Sequence, residues 1–318
     1  MRRSLLALFL LFAFFAVWLA QPATADYKQA VAYYGQGRYE KAIQEIKPDV
    51  DKNPDWEVGH RLLGLSYLGL KNYALAASSL SRAVQLKSPV YSTYYGLGLA
   101  YYNMQRYDDS ISALNQGEPK AAEKEKGNLY KLRGSAHFRL NRYSNAAEDL
   151  AASIRSGQAE WSDYSMLGVC YLNQNRTEEA IQTLEKALSM KPGEDSITSA
   201  LGKAYFKRGV AALSSKQYGP AVQALTKARD YDPKNGYVHY NLAEAYLFEK
   251  RYAEAEKALK QTLELMPKSL EGYARMGLVY EKQKKWDLAL NAYRKANEIS
   301  PSKAIKDAID RVNENKKQ

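Results

Sequence analysis

The feature that most constrains this chain is a pattern that recurs about every 34 residues. In the copy over residues 270–301, apolar and small residues recur at helical spacing, pause at Lys284 and Lys285, and resume until Pro301. Each half predicts an amphipathic helix of about three turns that cannot bury its apolar stripe alone. Two such helices joined by a short polar turn form an αα-hairpin, which still needs a neighbouring hairpin to cover its apolar side.

Aligned columns of residues indicate that the neighbouring copies supply this cover. Small residues fill the first column at spacings of 34, apart from one of 36 and one of 41: Ala30, Gly64, Gly98, Gly134, Gly168, Gly209, Ala243 and Gly277. A second small column lies twelve positions later, and a tyrosine usually stands three positions after the first column. We expect the small residues to let the two helices of a hairpin approach closely, because a large side chain there would overpack.

This pattern resembles the tetratricopeptide repeat (TPR) family, whose period is about 34 residues. The resemblance implies an all-α, right-handed superhelical solenoid of about eight hairpins over residues 26–303. The approximate repeats are residues 23–56, 57–90, 91–124, 127–160, 161–194, 202–235, 236–269 and 270–303. An insertion at 195–201 predicts a longer first helix, about Asp195 to Ser214, in the sixth repeat. Residues 304–318 are expected to form a capping helix with a frayed tail that starts at Asn315.

The first residues have the layout of a secretory signal peptide. Arg2 and Arg3 precede an apolar run over residues 5–20, and the small residues Ala23 and Ala25 follow it. We therefore expect residues 1–25 to be cleaved, leaving a periplasmic or secreted chain, exported by the general secretory route, with no transmembrane span. The alternative is an uncleaved membrane anchor, although this apolar run is short for a span of about 20 residues.

Charge and cysteine content bear on the possible partners. The net charge is +11, and basic and acidic residues are interspersed as on a solvated helical face. Because an exported protein rarely meets nucleic acid, we expect none as a partner. Anionic polysaccharide, cell wall or lipid headgroups would be the anionic targets, and solubility alone also explains the charge. The single cysteine, Cys170, cannot form an internal disulfide and is interpreted as a small buried residue.

The sequence carries no motif that indicates catalysis. It contains no nucleotide-binding loop, zinc-protease motif or nucleophile elbow. His60, His137 and His239 fall in different repeats at helix-packing positions, which favours a structural role over metal binding. The prediction is a non-enzymatic protein with no catalytic residue, metal site or cofactor.

The resemblance implies that a partner binds in the concave groove lined by the first helices of the repeats. The residues predicted to face this groove combine aromatic, amide and cationic side chains: Tyr95, Tyr102, Asn103, Lys131, Arg139, Asn173, Lys203, Lys207, Tyr240 and Asn241. Aromatic side chains provide contact area at low entropic cost, and asparagine and arginine can hydrogen-bond a peptide backbone or carboxylate.

Three of these residues resemble a known subsite only in part. Lys131, Lys203 and Lys207 lie where chaperone-binding members of the TPR family hold a C-terminal carboxylate. Ser135 and Met166 stand where those members have asparagine, so the resemblance to a carboxylate clamp is incomplete.

Two functions follow as hypotheses. In the first, the chain is a non-enzymatic scaffold of the cell envelope that binds a protein or peptide in the groove. It would support assembly of a secretion, pilus or polysaccharide-export complex. In the second, the aromatic and basic groove binds glycan or cell wall. An enzyme would require converging carboxylates or histidines, which the sequence does not indicate.

Overall fold

The computed structural model describes residues 25–157 and 159–317. Within them all regular structure is helical, which confirms the predicted all-α repeat solenoid. The α-helices are α1 (Ala25–Gly35), α2 (Tyr39–Lys52), α3 (Glu57–Gly69), α4 (Tyr73–Gln85), α5 (Tyr91–Asn103), α6 (Tyr107–Gly117), α7 (Glu123–Arg139), α8 (Tyr143–Arg155), α9 (Trp161–Asn173), α10 (Thr177–Met190), α11 (Asp195–Ser214), α12 (Tyr218–Tyr231), α13 (Gly236–Phe248), α14 (Tyr252–Leu265), α15 (Leu270–Lys282), α16 (Trp286–Ile299) and α17 (Lys303–Lys317), with a 3₁₀ turn at Glu118–Lys120.

The chain divides into two compact units. Unit 1 extends to Cys170 and unit 2 begins at Tyr171. In both units consecutive helices pair into hairpins, and the second helix of a hairpin packs on the first helix of the next. The odd-numbered helices α1 to α15 are called first helices below, and the even-numbered ones second helices.

The predicted signal peptide cannot be placed in this fold. Residues 1–24, which include its apolar run, lie outside the described residues. Cleavage of the signal peptide stays a prediction. Among the residues that are described, no helix is both long and apolar enough to cross a membrane.

The small column marks the close approach of the two helices in a hairpin, as predicted. In unit 1, a Cβ on Gly98 would lie 2.7 Å from Leu114 Cγ. In unit 2, a Cβ on Gly209 would lie 2.5 Å from Leu225 Cγ. Both leucines are fully buried, so glycine is needed where these leucines pack directly onto the first helix.

Each turn between a first and a second helix contains one residue in the left-handed conformation. In the α3–α4 turn, the Lys71 N–H donates to Leu68 O and the Asn72 N–H donates to Tyr67 O, both at 2.9 Å. This pair of bonds closes a helix in a Schellman motif. In the first of these turns the left-handed residue is Gly37. In the other turns the left-handed residue is not glycine and has φ between 57° and 63°: Lys71, Gln105, Asn141, Asn175, Lys216, Lys250 and Lys284.

The tyrosine column joins neighbouring hairpins. Tyr101, three residues after Gly98, contacts Ser81 of the preceding second helix, with 3.1 Å between the hydroxyl oxygens. The guanidinium of Arg106 lies over the same ring, 4.5 Å from its centroid. Part of the chain's positive charge is therefore used in packing against tyrosine faces.

Helix α11 runs from Asp195 to Ser214, as predicted. Its contacts with α10 and with α12 follow two different alignments of the repeat pattern, which we call its two registers. Against α10, Gly202 takes the position of the small column. Tyr205, three residues later, donates its hydroxyl to Glu185 of α10. Toward α12 the helix is aligned by Gly209, which meets Leu225. The registers differ by seven residues, a step of two turns or about 10 Å along the helix.

The longer connection between α6 and α7 contributes Glu118 to an ionic network. Helix α7 begins at Glu123, before the predicted start of its repeat at residue 127, so part of the connection between the two repeats is helical. Arg133, in a column that is mostly aliphatic elsewhere, donates to Asp149 in two bonds of 2.8 Å and to Glu118 at 2.5 Å. Burial acts to lower the pKa of Arg133, but the two carboxylates raise it above its usual value.

Helix α17 covers the last hairpin. Its buried residues Ile305, Ala308 and Val312 pack with Leu290 and other residues of α16. The helix continues to Lys317, beyond the predicted start of fraying.

Candidate functional site

In unit 1, helices α5 and α7 present one group of the predicted groove residues. The half-buried Tyr102 contacts the Tyr107 ring edge-on, with 5.4 Å between centroids. Arg139 is exposed, and the neighbouring Tyr107 side chain raises its pKa. Burial raises the pKa of Tyr102, while the Arg139 charge opposes the rise. The structure thus brings Tyr102 and Arg139 together, with Tyr107, which was not among the predicted groove residues, as a third member.

Two further predicted residues lie on α5. Tyr95 is half-buried, and its ring lies 5.6 Å from that of Tyr91 between centroids; burial raises its pKa. Asn103 is exposed and uses its side-chain N–H to cap the helix, donating to Leu99 O at 2.8 Å. Tyr95 is therefore part of the apolar packing, whereas Asn103 stands at the solvent edge of the same helix.

Lys131 is already paired within unit 1. Its Nζ lies 3.0 Å from Asp163 and 3.2 Å from Glu160. Burial acts to lower the pKa of Lys131, but the two carboxylates raise it overall. Asp163 is fully buried, so a ligand carboxylate would compete with a counter-ion that cannot move into solvent. Sequence reasoning missed Asp163, although its place in the first turn of α9 is a recognisable helix-capping position.

The two residues that stand where the family's carboxylate clamp has asparagine make contacts within the fold. Ser135 Oγ donates to Lys131 O at 2.7 Å within α7, and Met166 Sδ lies 4.0 Å from the same Oγ. Neither side chain supplies the amide of asparagine. These two positions therefore differ from the carboxylate-binding pattern in their contacts as well as in their residue types.

In unit 2, Lys207 contacts the α9–α10 turn, Asn173 is the last residue of α9, and Lys203 lies one turn before Lys207 on α11. Lys207 Nζ donates to Leu172 O at 3.3 Å and to Asn175 Oδ1. Lys203 and Asn173 are exposed. Lys207 therefore ties α11 to the preceding turn, which limits its role in holding a ligand.

The remaining two predicted residues lie on α13. Tyr240 is half-buried and lies near Arg275 of α15, where it helps to raise the pKa of that guanidinium. Arg275 Nη2 donates to Glu244 Oε1 at 2.7 Å. Asn241 donates from its side chain to Tyr237 O at 2.8 Å. Neither Arg275 nor Glu244 was among the predicted groove residues, because their ion pair joins α13 to α15 and is visible only when these helices pack together.

The histidines lie apart from these groups. His60 and His239 contact the carbonyl oxygens of Pro54 and Pro233 at 3.0 and 2.8 Å. His137 is partly buried, and burial lowers its pKa. Within residues 25–157 and 159–317, no group of three or more histidine, cysteine or acidic side chains could hold a metal ion.

Comparison with known families finds three models described as tetratricopeptide repeat. One matches residues 61–125, 131–195 and 250–304, which together exceed half of the chain. The others match residues 212–276 and residues 24–46. A search of curated proteins finds no match.

Several solved structures are similar to this chain. A TPR-containing protein from Cytophaga hutchinsonii, solved as its C-terminal part, is 17% identical, covers 77% of this chain and 98% of its own length, and gives a TM-score of 0.49. MamA AMB-1 is 25% identical over 54% of this chain and 91% of its own, with a TM-score of 0.43. The first TPR of Spaghetti, bound to an HSP90 peptide, is 22% identical over 38% of this chain and 96% of its own, with a TM-score of 0.37.

Proposed function

The chain belongs to the tetratricopeptide repeat family, and from that premise we propose that it is a non-enzymatic scaffold that binds a protein or peptide on its first-helix faces. The observation that carries the proposal is the grouping of Tyr102, Asn103 and Arg139 on α5 and α7 of unit 1. There an exposed guanidinium lies near a half-buried aromatic ring, and an exposed amide follows that ring on α5. Such a surface supplies both contact area and hydrogen bonds to an extended backbone.

The proposal favours a peptide over a glycan at this surface. Sugars stack on aromatic faces that are open to solvent, but Tyr95 and Tyr102 are both half-buried and each has a neighbouring ring within 5.6 Å. Co-sedimentation with an anionic polysaccharide discriminates the two functions, with Tyr95→Ala, Tyr102→Ala and Arg139→Ala as variants. Saturable binding to the polymer that these variants abolish would support the glycan and overturn the peptide assignment.

The proposed site of action is the cell envelope, where the scaffold would help assemble a secretion, pilus or polysaccharide-export complex. The support for this location is the signal-peptide pattern over residues 1–25. Expression of the full chain followed by mass spectrometry should give a mature N-terminus at Asp26 in the periplasmic or secreted fraction. An intact N-terminus in the cytoplasmic fraction would contradict the envelope assignment and leave the binding proposal standing.

Site-specific photo-crosslinking tests the binding surface. A photoreactive phenylalanine at Asn103 should capture a partner, whereas the same group at Asn145, exposed on the second helix α8, should capture much less. Tyr102→Ala or Arg139→Ala should reduce capture at Asn103 about tenfold, as expected for one contact of about 1.4 kcal/mol. Equal capture at both asparagines, unchanged by either substitution, would refute the assignment of this face.

A further inference from the structure

The two ends of the hairpins in unit 2 differ in charge. The turns within hairpins α11–α12, α13–α14 and α15–α16 contain six basic and three acidic residues, over 214–220, 248–254 and 282–288. The connections at the opposite ends of the helices contain three basic and four acidic residues, over 190–196, 231–237 and 265–271. Both sets span the same number of residues. We call the first set the basic edge of unit 2.

Contacts between neighbouring turns make the basic edge one continuous surface. The rings of Tyr218 and Phe248, from the first and second of these turns, stack with 4.8 Å between their centroids. Lys285, in the third turn, pairs with Glu256 near the start of α14, with 3.1 Å between Nζ and Oε2. The first helices α11, α13 and α15 also contact one another in order. The three turns therefore lie side by side.

An exposed lysine occupies the same place in each of these turns. Lys216, Lys250 and Lys284 are the residues in the left-handed conformation, with φ between 58° and 60°. Glycine adopts this conformation without strain, whereas a residue with a Cβ does so at a cost. Because the turns are equivalent, the three lysines form a row with about 10 Å between neighbouring hairpins.

The acidic residues of the edge are held by other cations. Glu249 and Glu254 both pair with Arg251, at 3.3 and 2.9 Å. Asp287 pairs with Lys316 of α17. The lysine row therefore keeps a surplus of positive charge, which favours a partner with negative charges spread over a surface of similar length.

Exposed apolar side chains accompany the lysines. Phe248, two residues before Lys250, is 49% exposed, and Leu288, four residues after Lys284, is 47% exposed. Apolar side chains next to lysines are typical of proteins that lie in the interfacial layer of a membrane. There the apolar groups enter the boundary of the acyl chains, while the ammonium groups stay among the headgroups.

We infer that the basic edge of unit 2 binds the surface of a lipid bilayer with anionic headgroups. Such a bilayer supplies negative charge for the lysine row and an apolar layer for Phe248 and Leu288. A soluble anionic polymer supplies only the charge. The inference goes beyond the proposed function, since the basic edge would hold the scaffold at a membrane while the first-helix faces bind a protein or peptide.

Co-sedimentation of the mature chain with lipid vesicles tests the inference. The chain without residues 1–25 is used, because the apolar run over residues 5–20 would itself bind lipid. The mature chain should bind vesicles of phosphatidylcholine and phosphatidylglycerol in equal parts, and bind phosphatidylcholine vesicles much less. It should leave the mixed vesicles at about 1 M salt, where the screening length is about 3 Å.

Two triple variants remove the same charge from opposite ends of the hairpins. The edge variant combines Lys216→Asn, Lys250→Asn and Lys284→Asn, since asparagine tolerates the left-handed conformation. The control variant combines substitutions of three exposed lysines in the opposite connections, Lys191→Asn, Lys234→Asn and Lys268→Asn. Circular dichroism of both variants should match the wild type, because surface substitutions usually have small effects on stability.

The two variants should differ in lipid binding. The edge variant should bind the mixed vesicles about a hundredfold more weakly, because each lysine near an anionic surface accounts for about fivefold. The control variant should change binding by less than about twofold, because its lysines lie about 20 Å away, beyond a screening length of about 10 Å. Equal loss in both variants, or no binding of the wild type to the mixed vesicles, would overturn the inference.

A second pair of variants separates a bilayer from a polymer. Leu288→Ser should weaken binding to the mixed vesicles about threefold, whereas Leu265→Ser, at a leucine 38% exposed in the opposite connections, should leave it unchanged. Binding to dextran sulfate as tight as to the vesicles, with no effect of Leu288→Ser on either, would overturn the bilayer as the partner. None of these outcomes depends on capture of a partner at Asn103, so the proposed function is tested separately.

Discussion

Gly98→Ala adds one methyl group where α5 and α6 cross. The new Cβ would lie 2.7 Å from Leu114 Cγ and 2.9 Å from Cδ2, whereas carbon atoms in favourable contact are about 3.5–4.0 Å apart. Leu114 is fully buried, so relief requires the helices to separate by about 1 Å. Overpacking of this kind costs about 1–3 kcal/mol, and the higher helix propensity of alanine returns about 1 kcal/mol. We therefore expect a net destabilisation of up to about 2 kcal/mol.

Urea denaturation followed by circular dichroism measures this loss, and hydrogen exchange localises it to α5 and α6, because repeat arrays need not unfold in one step. Gly35→Ala is the matched control: a Cβ there has no neighbour within 4 Å, so no loss is expected. Leu114→Val in the Gly98→Ala background should cost less than it does alone. Equal stability of Gly98→Ala and Gly35→Ala would refute the close approach.

Three other predictions follow from the structure. Lys250→Gly, at φ 60°, should raise the unfolding free energy in urea by about 0.5–1 kcal/mol by relieving the left-handed conformation, whereas Lys257→Gly within α14 should lower it by about 1 kcal/mol. Burial acts to raise the pKa of Glu118, but Arg133 outweighs it and holds that pKa below its usual range. The stability from this depressed pKa is present above the unfolded pKa of about 4.3 and lost as pH falls through the folded pKa, so acidification from about pH 6 to 3 should destabilise the wild type more than Glu118→Gln. Burial raises the pKa of the Cys170 thiol to about 12. A thiol reagent at about pH 8 should therefore modify Cys170 only after unfolding, and rapid modification of the folded chain would contradict the burial of this residue.

The hairpin pattern was predictable because it depends on contacts that repeat. The small column and the leucine sixteen residues later recur along the chain, so a single copy such as Gly98 with Leu114 illustrates the others. The register of α11 was harder to predict. Gly202 and Gly209 both satisfy the small column, and only the contact between Tyr205 and Glu185 shows that the helix uses both.

The candidate site was less predictable than the fold, because its chemistry depends on neighbours distant in sequence. Lys131 reads as a free cation until α9 places Asp163 beside it at 3.0 Å. Arg133 departs from a mostly aliphatic column, and the structure explains this residue by its ion pairs with Glu118 and Asp149. Spacing indicates which residues share a face of a helix, whereas the ion pairs that neutralise them require the packing of several helices.

Hydroxyl-radical footprinting of the mature chain with a captured partner tests the central claim most directly, namely that recognition occurs on the first-helix face. The account predicts that the partner slows oxidation of Tyr102 and Phe138, on α5 and α7, and leaves Leu75, exposed on the second helix α4, unchanged. Protection of Leu75 with no change at Tyr102 and Phe138 would contradict it.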